Sequence, residues 1–399
     1  MNAQCTSKFG RSVAVIGAVA VLAGCLAACG SGGGGDGGSS GSTSTTTSQT
    51  NGQKLLAAYT VPDAIAAAVV TNYTGTFNVG NSAMQSNCSN AAVTSTTVVN
   101  APDVVVFSVN GASLKAQELA ADLFEQAVPQ IRTALGLSAS GTGFDGKQKI
   151  NLCVDTALGQ SVGESGGSVT GQTAQGLPGV VMQVMAADSG NFDARYPGAT
   201  SYTSPVGQSY GTLFVHEGTH AALYSLAEPF GGMEPFFQEG TALNVAQQPM
   251  GTKANVLAIV QASDVLTANN TNSDMNAYPV YEAVMSYLTS SAPGGLGLGL
   301  VNIKTFVARY KADAMAACAQ SIPSGLIPTS NETNGMLSGQ YNVCAPSVPG
   351  MIDSRLETAF DHAFSQSFTD SNGSPLYLHT ADSPNSLEST LYSRLAGFL

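Results

Sequence analysis

Basic side chains and histidine are both scarce in this sequence. Its 399 residues include 14 Lys and Arg against 26 Asp and Glu, and the formal net charge is −12 at pH 7. So few basic groups can neutralise few phosphates, which excludes nucleic acid and anionic lipid surfaces as partners. There are four histidines and no histidine-rich tract, so the composition of a zinc-storage protein is absent too.

Long apolar runs are also rare, and one stands out near the N-terminus. Val13 to Ala28 is almost uninterruptedly apolar, follows the basic Lys8 and Arg11, and is shorter than the ~20 residues that span a bilayer. These are the features of an export signal. The run ends in LAGCLAACG, which resembles the lipobox of bacterial lipoproteins and implies lipidation of Cys29 or Cys25. An ordinary secreted protein is the alternative.

Residues 1–28 are therefore expected to be a lipoprotein signal peptide, and residues 29–52 a lipidated cysteine with a flexible Gly/Ser/Thr linker. Because glycine and not aspartate follows Cys29, the lipoprotein resemblance implies the outer membrane, on its periplasmic or surface face. No later apolar run reads as a membrane span, so the lipid anchor is the expected membrane contact.

Four cysteines remain when the signal and the lipidated residue are set aside: Cys88, Cys153, Cys318 and Cys344. An even number in an oxidising compartment predicts two disulfides, for which three connectivities are possible. We favour the neighbours in sequence, Cys88–Cys153 and Cys318–Cys344. A cysteine-based zinc site is the alternative, but the chain has no close CxxC pair.

Apolar periodicity predicts strands and one long helix first, then mostly helices. Residues 113–137 have the period of a helix, which Pro129 should kink or restart. Residues 103–111, 147–155 and 179–187 are typical of strands, and the last is expected to be either an edge strand that lines a cleft or a plain core strand. Further helices are predicted over residues 212–227, 237–247, 278–290, 299–310 and 351–366.

The sequence HEGTH, residues 216–220, holds two of the four histidines at a spacing of four. On a helix this spacing puts both imidazoles on one face, where His216 and His220 can bind one Zn²⁺ ion. Glu217 lies about 100° away around the helix and suits a general base for a water in the open metal position. Two purely structural histidines are the alternative reading.

A catalytic zinc site needs a third protein ligand, and Glu239 in QEG is the best candidate. It follows His220 after 18 residues, in which Pro229 should end the first helix and Pro235 should precede a second. Gly240 is small and should let the two helices approach closely. The glutamates of the connecting loop, Glu228 and Glu234, are expected to be solvated charges and not ligands.

HExxH followed after 18 residues by the glutamate of PFFQEGTA resembles the gluzincin metallopeptidases, most closely the bacterial gluzincin-like group with a PxWxxEGxA motif. The resemblance implies a thermolysin-like α+β fold. Residues 53–210 would form an N-terminal part with a small mixed β-sheet and helices, and residues 211–399 a mostly helical, zinc-binding part. It also implies one Zn²⁺ per chain, bound by His216, His220 and Glu239, with Glu217 as base.

Several positions depart from the gluzincin pattern. Phe236 stands where tryptophan is usual, and Leu243 and Asn244 stand where thermolysin-like enzymes have an aspartate that orients a histidine. Support for the ligands must therefore come from elsewhere. The GAMEN signature of aminopeptidases is absent, and residues 179–185 are at most a faint echo of it, so an endopeptidase is expected.

Hydrolysis of a peptide also needs a hydrogen-bond donor for the oxyanion, a role that gluzincins give to a downstream tyrosine or histidine. Tyr278 and Tyr281 are the preferred candidates, with aromatic packing as the alternative. Tyr287, His362 and His379 are weaker candidates. The sequence thus predicts an exported, lipid-anchored zinc metallopeptidase that acts on peptides or proteins. A catalytically inactive gluzincin scaffold, serving as a surface binding lipoprotein, is the alternative.

Overall fold

The computed structural model describes residues 49–74, 96–158, 167–170, 180–197, 205–227, 230, 233–248, 251–266, 275–318 and 352–399. The predicted signal, both lipidation candidates, Glu228 and Pro229 lie outside these residues. So do Cys88 and Cys344. Cys153 and Cys318 are buried and both belong to disulfides, but the predicted pairings stay predictions because the other cysteines are not described.

A six-stranded mixed sheet has the strand order β1-β2-β3-β4-β6-β5. Its strands are β1 Val69–Val70, β2 Val98–Asn100, β3 Val104–Val109, β4 Ile150–Asp155, β5 Gly167–Thr170 and β6 Val181–Met185. The central β3, β4 and β6 are parallel to one another, and the outer pairs are antiparallel. Strands inside a parallel region are covered on both faces, which explains their almost continuous apolar sequences.

The described chain also contains α-helices. They are α1 Asn51–Ala58, α2 Asp63–Ala67, α3 Leu114–Leu135, α4 Phe192–Arg195, α5 Pro205–Ala227, α6 Pro235–Val245, α7 Lys253–Ala262, α8 Tyr278–Thr289, α9 Ile303–Cys318, α10 Ser354–Ser367 and α11 Leu387–Phe398. A mixed fold with a small mixed sheet and a helical second half is thereby confirmed. Among the described helices, none has the length and apolar character needed to cross a bilayer.

Helix α3 positions the helix that carries HEGTH. It begins after Ser113, whose side chain caps the backbone N–H of Ala116, and ends at Gly136 in the left-handed conformation (φ 65°). It continues through Pro129 as one helix, so the predicted restart is wrong. A Cβ on Gly218 of α5 would lie 2.8 Å from Ile131 Cδ1 of α3. The glycine of HEGTH therefore allows the close approach of these two helices.

The position of β6 in the sheet decides between the two predictions made for residues 179–187. Strand β6 is an interior strand between β4 and β5, and all five of its residues are buried. The core-strand expectation is correct and the edge-strand expectation is wrong. The edge strand beside β6 is β5, which has the short sequence GSVT and too few apolar residues to be recognised as a strand.

Two further expectations for the helices need correction. Helix α5 begins at Pro205, seven residues before the predicted residue 212, because its first turns are rich in Gly and Ser and carry no helical apolar stripe. Gly240 of α6 packs against α8: a Cβ there would lie 2.3 Å from the carbonyl oxygen of Tyr281. The close approach that Gly240 permits is therefore between α6 and α8, and not between α6 and α5.

Candidate metal centre

Helices α5 and α6 bring together the three predicted ligands. The distance between His216 Nε2 and His220 Nε2 is 3.2 Å, and Glu239 Oε2 lies 3.3 Å from the first and 3.4 Å from the second. Both histidines are buried. The i, i+4 spacing on α5 supplies two of these atoms, and the packing of α6 against α5 supplies the third.

These separations fit a metal ion. A tetrahedral ion with bonds of about 2.0–2.1 Å holds its ligand atoms about 3.3 Å apart, which matches all three distances. Glu239 Oε2 is buried, and no group among the described residues donates a hydrogen bond to it. Such an orphaned carboxylate oxygen is costly unless a cation satisfies it. The donor set of two imidazoles and one carboxylate is one that Zn²⁺ uses in catalytic sites.

The pKa values of His216, Glu217 and Glu239 are not all shifted in the same direction. Burial opposes the charge on His216, but contact with Glu239 and the negative charges of Glu217 and Glu239 raise its pKa. For Glu239, burial acts to raise the pKa, but His220 and His216 hold it well below its usual value. Burial raises the pKa of Glu217. Glu239 is thus held as an anion suited to bind a cation, while Glu217 is the more basic carboxylate.

Gln248 orients His216, a role that the sequence analysis did not assign. Its Oε1 lies 2.6 Å from His216 Nδ1, so a proton on Nδ1 leaves the Nε2 lone pair directed at the metal position. Asn244 stands in the neighbourhood where thermolysin-like enzymes have an aspartate that orients a histidine. Asn244 instead donates to the carbonyl oxygens of Gly240 and Glu282, on the side of α8.

The end of α6 is what places Gln248. Gln247 adopts the left-handed conformation (φ 52°), its N–H donates to Asn244 O, and the N–H of Gln248 donates to Leu243 O. This is the hydrogen-bond pattern of a Schellman motif, which reverses the chain at the helix end. Glutamine is unusual at the left-handed position, so the sequence has no glycine signal from which the turn could have been predicted.

Strand β5 lies directly against Glu217. A Cβ on Gly167 would be 2.9 Å from Glu217 Cγ and 3.1 Å from Glu217 Oε1, so only glycine fits without moving the carboxylate. The buried Tyr196 hydroxyl is close enough for the charge of Glu217 to act with burial and raise the pKa of the phenol. No hydrogen-bond partner for that hydroxyl is found among the described residues. Gly167 and Tyr196 were both missed by sequence reasoning.

Tyr278 and Tyr281, the predicted oxyanion donors, lie on α8 and are buried. Their ring centroids are 5.9 Å apart, and the Tyr281 carbonyl packs against Gly240, the residue after Glu239. Their donor role stays a prediction. The structure places a further tyrosine near the ligands: burial and the charge of Glu239 raise the pKa of Tyr224 to about 12, against a hydrogen bond from Gln238.

The three weaker candidates make contacts elsewhere. Tyr287 Oη accepts a hydrogen bond from Arg394 at 2.8 Å. His362 Nδ1 lies 2.9 Å from Asp313 Oδ2 on the surface. His379 Nε2 lies 3.2 Å from Glu234 Oε1, and Glu234 is 1% exposed. The expectation that Glu234 is a solvated charge is therefore wrong, because the C-terminal segment covers it.

Two comparisons with known proteins found no match for this chain. No protein-family model matches the chain, and a search of curated proteins finds no match either. Function must therefore be argued from the residues and their geometry.

Proposed function

We propose that the chain is an exported, lipid-anchored zinc metallopeptidase of the gluzincin type, which hydrolyses peptide bonds and is best suited to endopeptidase action. The observation that carries the proposal is the convergence of His216 Nε2, His220 Nε2 and Glu239 Oε2 at 3.2–3.4 Å from one another. Separations of this size suit three protein ligands of one tetrahedral ion and leave a fourth position open.

Each residue of the site has a definite task in this proposal. When bound, Zn²⁺ would lower the pKa of a water and polarise a carbonyl group. Glu217 accepts the proton of the attacking water, and its burial favours this because a raised pKa makes the carboxylate a stronger base. Gln248 holds the tautomer of His216. A tyrosine, Tyr281 or Tyr278, would donate to the oxyanion.

The alternative is a surface lipoprotein that keeps the scaffold for binding alone. Glu217 argues against it: this carboxylate is 4% exposed, and burial raises its pKa. A buried carboxylate lowers the stability of the fold unless it is paired, so a protein without catalysis would gain by losing it. The exact fit of Gly167 against Glu217 also favours a catalytic role, since this glycine keeps the carboxylate where it is.

The decisive experiment measures zinc content and peptide cleavage together. Wild type and Glu217→Gln should both bind Zn²⁺ at the α5–α6 site, but the variant should cleave a library of quenched fluorescent peptides at least about 100-fold more slowly. Glu239→Ala should lose both the zinc of this site and the activity. Gly167→Ala should slow cleavage while retaining zinc, and Gly190→Ala, whose Cβ would meet nothing within 4 Å, is its matched control.

Two results would contradict the proposal. A well-folded wild-type chain without zinc at His216, His220 and Glu239 would remove the metal site. Zinc bound there with no cleavage of any peptide in the library would instead support the binding lipoprotein.

A further inference from the structure

A second group of side chains with metal-binding chemistry lies at the N-terminus of α6. It consists of Glu234, the residue before α6, Asp361 of α10, and His379, which lies between α10 and α11. One ligand atom from each lies within 4.8 Å of the others. His379 Nε2 is 3.2 Å from Glu234 Oε1 and 3.5 Å from Asp361 Oδ1. These two separations resemble those at the α5–α6 site.

Two carboxylate oxygens of this group lack a donor. The Glu234 side chain is 1% exposed, and its Oε2 is buried with no hydrogen-bond partner among the described residues. Asp361 Oδ1 is also buried and makes no hydrogen bond among these residues, although His379 Nε2 lies 3.5 Å away. Buried carboxylate oxygens are normally paired or bound to a metal ion, so these two atoms point to a cation.

The charges around the group are strongly unbalanced. The charged groups that act on Glu234 are His379, Asp361 and Glu357, and Asp382 and Glu388 act on Asp361 as well. One imidazole therefore faces several carboxylates. Burial raises the pKa of Glu234, while the hydrogen bond and the charge of His379 lower it.

We propose that Glu234, Asp361 and His379 bind a second divalent metal ion, a transition metal of the Zn²⁺ kind. One imidazole nitrogen and two carboxylate oxygens suit Zn²⁺, whereas Ca²⁺ and Mg²⁺ prefer oxygen ligands throughout. His379 Nδ1 lies 3.9 Å from Glu388 Oε2, which accepts a hydrogen bond from the backbone N–H of Thr380. A cavity of about 590 Å³ is lined in part by Thr380, the residue after His379, and by Glu388.

This second ion would join distant parts of the chain. Glu234 precedes the helix that carries Glu239, while Asp361 and His379 belong to the C-terminal segment. The bound ion would therefore fix the N-terminus of α6 to α10 and stabilise the region that supplies the third ligand of the α5–α6 site. The inference does not depend on peptidase activity.

The test counts Zn²⁺ ions bound to the full chain at equilibrium by dialysis and elemental analysis. We expect about two per chain in wild type, and one in His379→Gln and in Asp361→Asn. Glu239→Ala should retain one, and Glu239→Ala combined with Asp361→Asn should retain none. His362→Gln is the matched control, because His362 also contacts an aspartate, at 2.9 Å, but its side chain is 60% exposed.

Circular dichroism and thermal melting make each outcome decisive. Zn²⁺ should raise the Tm of folded Glu239→Ala and leave that of the double variant unchanged. If His379→Gln and Asp361→Asn bind as many ions as wild type, the proposal is wrong and the group is an ion-pair cluster. One ion in wild type that Glu239→Ala retains and Asp361→Asn loses would support the second site and contradict the proposed peptidase.

Discussion

At the scale of single residues, the candidate metal centre includes a side chain that belongs to no motif. Gln248 contacts His216 Nδ1 at 2.6 Å and follows a left-handed turn at the end of α6. Histidine ligands commonly need such a partner to fix both their ring orientation and their tautomer. The metal affinity of this site should therefore depend on the turn as well as on HEGTH.

We predict that Gln248→Leu weakens Zn²⁺ binding at the α5–α6 site about 10–100-fold, because His216 loses its hydrogen-bond acceptor. Gln248→Glu should bind nearly as tightly as wild type, since a carboxylate also accepts from Nδ1. Competition with a chromophoric chelator measures the dissociation constant. Equal affinity in the leucine variant and wild type would show that Gln248 merely fills space.

At the scale of elements, a polar network lies at the interface between α8 and α6, the helix that carries Glu239. Ser286 Oγ lies 2.7 Å from Asn244 Oδ1 and 2.9 Å from Glu282 Oε1. One hydroxyl hydrogen can serve only one of these acceptors. If Glu282 is protonated, it donates to Ser286, which then donates to Asn244, so both contacts of the Ser286 hydroxyl are satisfied. Burial raises the pKa of Glu282 to about 7, although Ser286 opposes this.

The free energy of unfolding should therefore fall with pH in a defined window. A carboxyl whose folded pKa is raised contributes no penalty below the ordinary value of 4.5, a growing penalty as pH rises toward about 7, and a constant one above. We predict that Glu282→Gln, which donates at every pH, is more stable than wild type by about 2 kcal/mol at pH 8 after allowance for screening. Near pH 4 the two should be equal.

Urea unfolding of both proteins across this pH range measures the difference. Asp63→Asn, which alters an exposed carboxylate, serves as the surface control. A difference between Glu282→Gln and wild type that does not change with pH would refute the protonation argument.

At the scale of the whole molecule, the first described segment belongs to the main core. The capping box of Thr50 and Gln53 begins α1, and the N–H of Asn51 donates to Asp193 Oδ1 at 2.7 Å. Leu55 and Tyr59 are almost fully buried in the same core as α3 and α5. The described part of residues 53–100 is therefore part of the fold.

We predict that a chain beginning at residue 49 melts at the same temperature as the full chain, whereas a chain beginning at residue 61 is destabilised by about 5 kcal/mol. The estimate takes about 1.5–3 kcal/mol for each of the buried Leu55, Leu56 and Tyr59 that is lost. Differential scanning calorimetry of the two shortened chains tests it. Equal melting temperatures would instead show that residues 49–60 do not stabilise the fold.

Some of this protein could be predicted from local sequence patterns. The HEGTH spacing determines that two histidines share a helix face, because the period of the helix is a property of the backbone itself. The break at Pro235 and the distance to Glu239 made the third ligand predictable as well. Apolar runs within residues 103–111 and 179–187, and alternation within residues 147–155, identified the three central strands.

Other features were decided only by the tertiary structure. Which strand forms the sheet edge, which residue orients His216, and that Glu234 is buried against His379, 145 positions away, all depend on contacts between distant segments. Such contacts arise when helices and strands pack their apolar faces together, and packing determines which polar side chains meet in the interior. Local periodicity determines which face of each helix or strand is apolar, but not which other element packs against that face. The sequence by itself therefore determined the candidate ligands on α5 and α6, and tertiary packing decided which residues surround them.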